Sequence, residues 1–273
     1  MITGTAIIPG QLHRFHLSGK FAGMNCRRSA VLLLLIVAGR TGQAQVFQNV
    51  PHLQFGLGAG AFVYQGDLSQ EKFGSYRTLR PAVQVFAGKL VSAGFGWRFN
   101  LALGSIKGDD AVYDQPEYRK QRAFNFNSPV TELSAMIEWN ILNRNYATKK
   151  IAPYAGLGVG YTLLKVERDW SRFNQEYFPG NSQTSEGLNN DIQHDTPKGQ
   201  FFIPLFAGIR YFISDKVGIG IETNYRRIST DYLDGFSQAV DPKQGDSYYS
   251  HTLNLILRFG KMNPLDCPRN VRY

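Results

Sequence analysis

Residues 94–104 read GFGWRFNLALG, and this stretch decides the fold class. Phe95, Trp97, Phe99, Leu101 and Leu103 occupy every second position, alternating with Gly96, Arg98, Asn100, Ala102 and Gly104. Side chains of an extended strand point alternately to opposite faces, so this segment has one bulky apolar face and one small or polar face. Strict alternation over this length reads as a strand and not as a helix.

Working outward, seven further segments repeat the pattern. Gln54 to Gly66 sets Phe55, Leu57, Ala59, Ala61 and Val63 against Gly56, Gly58, Gly60, Phe62 and Tyr64. Pro81 to Lys89 sets Val83, Val85 and Ala87 against Gln84, Phe86 and Gly88. Thr131 to Ile141, Pro153 to Leu163, Phe201 to Tyr211, Val217 to Arg226 and His251 to Phe259 follow the same rule. Short connections sit at Leu90 to Ala93, Asn143 to Lys150 and Ser214 to Lys216. Long polar ones sit at Asp67 to Arg80, Ser105 to Pro129, Glu167 to Gln200 and Arg227 to Ser247.

An even number of spans of ~10 residues, with short turns at one end and long loops at the other, is the signature of single-chain outer-membrane barrels. The sequence therefore predicts an all-β fold: an eight-stranded antiparallel transmembrane β-barrel with short periplasmic turns, long extracellular loops and both termini in the periplasm. Tyr64, Tyr225, Tyr248 and Tyr249 are expected in an outer aromatic girdle, and Phe95, Trp139, Tyr211, Phe212 and Phe259 in a periplasmic one. Arg98, Glu132, Glu138, Arg210, Glu222, Arg226 and Arg258 all fall on the non-aliphatic face and form an expected lumen charge network. An eight-stranded interior is just wide enough for side chains to fill, so these charges read as a plug, with Arg98 facing partners such as Glu132 or Glu138. A soluble up-and-down barrel of the lipocalin type also has eight alternating strands, but its apolar face points inward. Here the bulky face ends in aromatics and the charged face is rich in small residues, which favours lipid outside.

The stretch from Met24, MNCRRSAVLLLLIVAGRTGQAQ, has a basic start at Arg27 and Arg28, a short apolar run, and small residues Gly42 and Ala44. It reads as a signal peptide with Met24 as the start and cleavage after Ala44. The apolar run is too short to span a bilayer, which takes ~20 residues. The domains expected are a leader over 1–44, a barrel over 45–260 and a periplasmic tail over 261–273. Loss of the leader removes Arg14, Lys20, Arg27, Arg28 and Arg40 and no acid, so the formal charge falls from +9 to +4. The remaining basic residues form no stripe or basic helix, which argues against nucleic acid. Cys26 lies in the leader, so Cys267 is the one thiol of the mature chain. It has no internal partner and is a candidate for a disulfide with another protein.

Gly56-Leu57-Gly58-Ala59-Gly60 and Gly156-Leu157-Gly158-Val159-Gly160 spell a phosphate-loop pattern, but they recur every second residue inside strands with no helix opening after them. His52, His194 and His251 lie in separate segments, so no metal set converges. Ser250-His251 is a nucleophile and base in spelling only, because neighbours on a strand face opposite ways. Asp231, Asp234, Asp241 and Asp246 could bind calcium but read more simply as solvated loop acids. No cofactor, metal or small-molecule substrate is implied, and no catalytic residues are assigned.

Tyr64-Gln65-Gly66-Asp67-Leu68, after a glycine-rich first strand, resembles the YxGDL opening of an outer-membrane barrel family that includes PorG of the type IX secretion system. Residues 230–237, TDYLDGFS, followed by Val240-Asp241-Pro242, are similar to that family's TDYLDDVS…VDP loop, with Gly235 and Phe236 where Asp and Val are usual. The motif positions are Tyr64, Gly66, Asp67, Asp231, Tyr232 and Asp234. The resemblance implies a non-enzymatic barrel in the outer-membrane lipid, attached to periplasmic ring proteins of the PorK and PorN type. The alternatives are a stand-alone surface barrel with adhesive or protective loops and a lipid-modifying barrel enzyme.

Overall fold

Each of the eight alternating segments is a hydrogen-bonded strand in the computed structural model, which describes residues 52–241 and 245–260. The leader, its cleavage site and the tail with Cys267 lie outside the described residues. The strands are β1 (Leu53–Gln65), β2 (Arg80–Leu90), β3 (Phe95–Asp109), β4 (Asn125–Asn140), β5 (Ile151–Leu164), β6 (Glu167–Asp169), β7 (Gly199–Phe212), β8 (Val217–Ile228) and β9 (Ser247–Phe259). Two helices, α1 (Glu117–Arg122) and α2 (Gln183–Gln193), lie in the long connections.

All pairings are antiparallel, and the order β3-β2-β1-β9-β8-β7-β5-β4 is closed by β3 on β4. The seam runs from Leu53 opposite Phe259 to Gln65 opposite Ser247. The short β6 lies outside this circuit and pairs only with the end of β4, from Asn125 opposite Asp169 to Asn127 opposite Glu167. The result is a closed eight-stranded antiparallel barrel. Closure leaves the eight-strand circuit without a free edge strand at either end.

The two faces divide as the alternation demands. Leu57, Leu101, Leu133, Ile137, Leu157, Leu205, Ile221, Leu253 and Leu255 are all exposed, while Gln84, Arg98, Asn100, Glu132, Glu138, Thr252 and Asn254 are buried. Apolar rows meet across strands, as in Ile137 opposite Leu157 and Leu57 opposite Leu255. A continuous apolar exterior over a polar interior inverts a soluble barrel and suits a lipid surround, where every backbone group must be paired within the protein. Among the described residues no helix is long and apolar enough to cross a membrane, so the crossing is made by strands.

Two expectations are corrected. Tyr64, Tyr248 and Phe212 do not join the girdles: all three are fully buried, because they occupy lumen-phase positions to the very ends of their strands. Phe95, Trp139, Tyr211 and Phe259 are exposed at the short-turn rim, and Tyr225 and Tyr249 face outward at the other. Nor are the long connections simply polar loops. β3 and β4 run on to Asp109 and back from Asn125, and α1, β6, α2 and two 3-10 turns follow in the loops. Leu68, Phe124, Leu188, Leu233, Phe236 and Ala239 pack with Phe62, Ile106, Phe126 and Tyr248 into one apolar core that roofs the barrel.

Candidate functional site

The predicted lumen residues are brought together, every one of them at most 4% exposed. Arg98 pairs with Glu222 at 2.7 Å, where Tyr154 also donates its hydroxyl at 2.9 Å. The Arg98 guanidinium lies between the Phe86 and Phe206 rings, 4.7 and 4.4 Å from their centroids. Arg226 grips Glu132 through Nε and Nη2, and Tyr248 donates to the same carboxylate. Arg210 pairs with Glu138 at 2.5 Å and donates to Asn145 Oδ1 at 2.6 Å. So Arg98 takes Glu222, across the barrel, rather than Glu132 or Glu138.

Glycine makes these layers possible. A Cβ at Gly56 would enter the Phe86 ring, and one at Gly156 would enter the Phe206 ring, so the phenyl groups that sandwich Arg98 rest directly on glycine backbone. Among the described residues Arg258 has no carboxylate partner. It donates to the Asn145 carbonyl and lies over the Phe212 ring, 3.1 Å from its centroid. Four arginines against three glutamates leave the network one charge positive. Removing one member of such a pair strands its partner and typically costs about 3–5 kcal/mol.

Five of the six motif-like residues, Tyr64, Gly66, Asp67, Asp231 and Asp234, are far apart in sequence and converge under the roof. Tyr64 Oη lies 2.7 Å from Asp234 Oδ2 and 2.8 Å from Asp246 Oδ1. A phenol carries one hydrogen, so it donates to one carboxylate, and the other contact needs a proton on the second. Burial, followed by the Asp234 charge, pushes Asp246 well above the usual carboxylate range. Burial does the same to Asp234, against the hydrogen bond from Tyr64. Asp67 accepts the Asp241 N–H at 3.3 Å, and burial raises it to about 7. Asp231 accepts the Ser237 hydroxyl at 2.5 Å. Gly66 fits because a Cβ there would strike Asp246 Oδ1 and the Tyr64 hydroxyl. Gly235, at φ 84°, holds a left-handed turn where a residue with a Cβ would be strained. Tyr232 does not enter the cluster; its ring stacks on His194 at 4.0 Å.

The roof also uses residues that sequence reasoning passed over. Asp191 of α2 accepts the backbone N–H groups of Ser237, Gln238 and Ala239 at 3.1, 3.1 and 2.9 Å. Arg168 donates to the carbonyls of Asp191, Ile192, His194 and Gly235. Asp110 holds Arg119 and Arg122 at 2.8 and 2.6 Å. The signal that points to it is apolar: Leu188, Leu233 and Phe236 stand as bulky residues in otherwise polar stretches.

The other candidate chemistries separate. Ser250 Oγ accepts from Arg226 inside the barrel, while His251 lies outside between Thr223 Oγ1 and the Tyr76 hydroxyl, at 2.9 and 3.0 Å. Among the described residues no group of His, Cys, Asp or Glu has the geometry of a metal centre.

An apolar exterior, an interior filled by paired charges and a folded roof define a membrane-spanning eight-stranded β-barrel of the outer-membrane type. The chain belongs to the family described as Domain of unknown function (DUF6089), whose model matches residues 27–267. No curated protein matches it. Among solved structures it is similar to Ail, the attachment invasion locus protein of Yersinia pestis, at 10% identity and TM-score 0.41, covering 77% of this chain and 99% of that one. Neisserial surface protein A is similar at 11% identity and TM-score 0.43, covering 76% and 97%. The outer membrane enzyme PagL is similar at 9% identity and TM-score 0.33, covering 76% and 99%. These likenesses are to barrel shape alone.

Proposed function

We propose that the protein is a non-enzymatic structural barrel of the Gram-negative outer membrane. It serves there as a component of a type IX (Por) secretion complex held to a periplasmic ring of PorK and PorN type. The observation that carries the structural role is the filled interior: three buried ion pairs at successive levels leave the lumen to side chains rather than to a solute. The convergence of Tyr64, Gly66, Asp67, Asp231 and Asp234 supports membership of the secretion-barrel group, since residues that resemble its motifs meet in one cluster. With the long-loop end roofed, the short turns and the tail over 261–273 are the surfaces offered to the periplasm, and Cys267 is the candidate for a covalent link to the ring.

Affinity purification of the full chain from detergent-solubilised membranes tests the reading. Co-purified ring proteins support it. Their absence favours a stand-alone surface barrel, a role to which the organised roof is suited. An epitope inserted between Asn181 and Asn190 is expected to be reachable on intact cells, and labelling only after permeabilisation would reverse the orientation. Non-reducing gels of wild type and Cys267→Ser decide the disulfide: an identical monomeric band in both excludes it.

A further inference from the structure

On the lipid-facing side near the long-loop end, β5, β7 and β8 leave a groove of about 600 Å³. Its floor is apolar, made by the exposed side chains of Val159, Phe201 and Ile203, and its long-loop edge carries Arg227, Ser229 and Asp231. The groove lies over a gap in the wall. β5 and β7 pair through Leu157 opposite Leu205 and resume at Gly160 opposite Phe202, but Gly158 and Val159, paired to β4 on their other side, have no partner on β7. Opposite them stand Pro204, which has no amide hydrogen to give, and Ile203.

The edge is charged and unsatisfied. Arg227 is exposed on the outer face and makes no ion pair among the described residues, so it and Asp231 border one groove without closing on each other. Asp231 Oδ2 accepts the Ser237 hydroxyl, and its Oδ1 is buried with no hydrogen-bond partner among the described residues. Tyr225, two residues before Arg227 on the same face, lies against Tyr249 with ring centroids 5.0 Å apart. Such aromatic pairs mark the level where acyl chains give way to headgroups, which places Arg227 at headgroup depth.

We propose that this groove binds one membrane lipid whose headgroup joins a phosphate to a primary amine. The acyl chain lies on Val159, Phe201 and Ile203, the phosphate on Arg227 and Ser229, and the ammonium toward Asp231. A cation and an anion on one edge complement a zwitterion and oppose a purely anionic head. Native mass spectrometry of the full chain in detergent micelles tests it, with phosphatidylethanolamine and phosphatidylglycerol of identical chains and with free phosphoethanolamine. The expected result is a one-lipid adduct preferring phosphatidylethanolamine, lowered about tenfold by Arg227→Gln, as loss of a charged hydrogen bond implies. Asp231→Asn is expected to abolish the preference over phosphatidylglycerol. Val159→Trp, which fills the floor and leaves both charges, is expected to remove the adduct while the heat-dependent gel shift of the folded barrel persists. Equal retention of the two lipids by wild type overturns the proposal. So does an adduct indifferent to all three substitutions, or free phosphoethanolamine binding as well as the lipid.

Discussion

In the lumen each glutamate has an arginine, whereas between the motif loops the carboxylates face one another. Glu132, Glu138 and Glu222 are neutralised by Arg226, Arg210 and Arg98. Asp234 and Asp246 share a phenol instead, with Asp67 close enough to raise the proton affinity of both. The difference follows from what surrounds each site. The barrel wall is rigid and encircled by lipid, so opposite charges are placed once and held. The roof is a set of loops around an apolar core; there Asp110 is held by Arg119 and Arg122, but Asp234 and Asp246 face each other with no arginine between them among the described residues, and burial favours a retained proton.

The largest effect that would break this comparison lies in the lumen. Glu132→Ala strands Arg226 and frees the Tyr248 hydroxyl, and is expected to cost about 3–5 kcal/mol in urea unfolding from liposomes. Replacing both partners by methionine is expected to recover most of it, and an equal loss in the double variant would show that the ion pair is not what matters. The wall comes next. Leu255→Arg at an outward, mid-strand position is expected to cost about 2–4 kcal/mol in the same assay. Folding into bilayers as readily as wild type would put the inside and the outside the wrong way round.

In the roof the effects are smaller and local. Asp191→Asn weakens three bonds to backbone N–H groups and is expected to cost about 1–3 kcal/mol. The cost should appear as faster proteolysis of residues 167–198, with the unfolding midpoint of the barrel unchanged. A matching drop in that midpoint would make roof and barrel a single cooperative unit. The last effect is pH. Asp67 binds its proton more tightly when folded, with a pKa raised from 3.8 to about 7. Its contribution is therefore complete below the unfolded value and is lost as pH rises through about 7, at no more than about 1.4 kcal/mol per pH unit. Roof proteolysis is expected to speed up from about pH 5 to about pH 8, and Asp67→Asn is expected to flatten that slope. A roof that tightens with rising pH would reverse the sign.

The barrel was legible because alternation is local: Phe95 to Leu103 announce their face without reference to any other strand. The pairing inside was not, because Arg98 reaches Glu222 across the lumen, a distance that strand tilt and stagger set and no single segment records. The girdle assignment of Tyr64, Tyr248 and Phe212 failed for a related reason. An aromatic at a strand end was read as rim, although its even phase had already turned it inward. The roof was hidden altogether, since Leu188 comes from one connection and Leu233 and Phe236 from another, and they become a core only after the strands have gathered them.

The seam between β1 and β9 also sets a clock. Thirteen residue pairs join the first strand to the last, from Leu53 with Phe259 to Gln65 with Ser247. Until Ser247–Phe259 has been made and delivered, β1 and every strand added to it form an open sheet with a free edge at each end, and such edges invite pairing with other chains. The contact that finishes the wall has almost the greatest sequence separation the described chain allows, and such contacts form late. Trimming β9 would therefore not yield a slightly shorter barrel. It would leave a sheet that never closes, held in the periplasm for as long as some carrier keeps its edges covered.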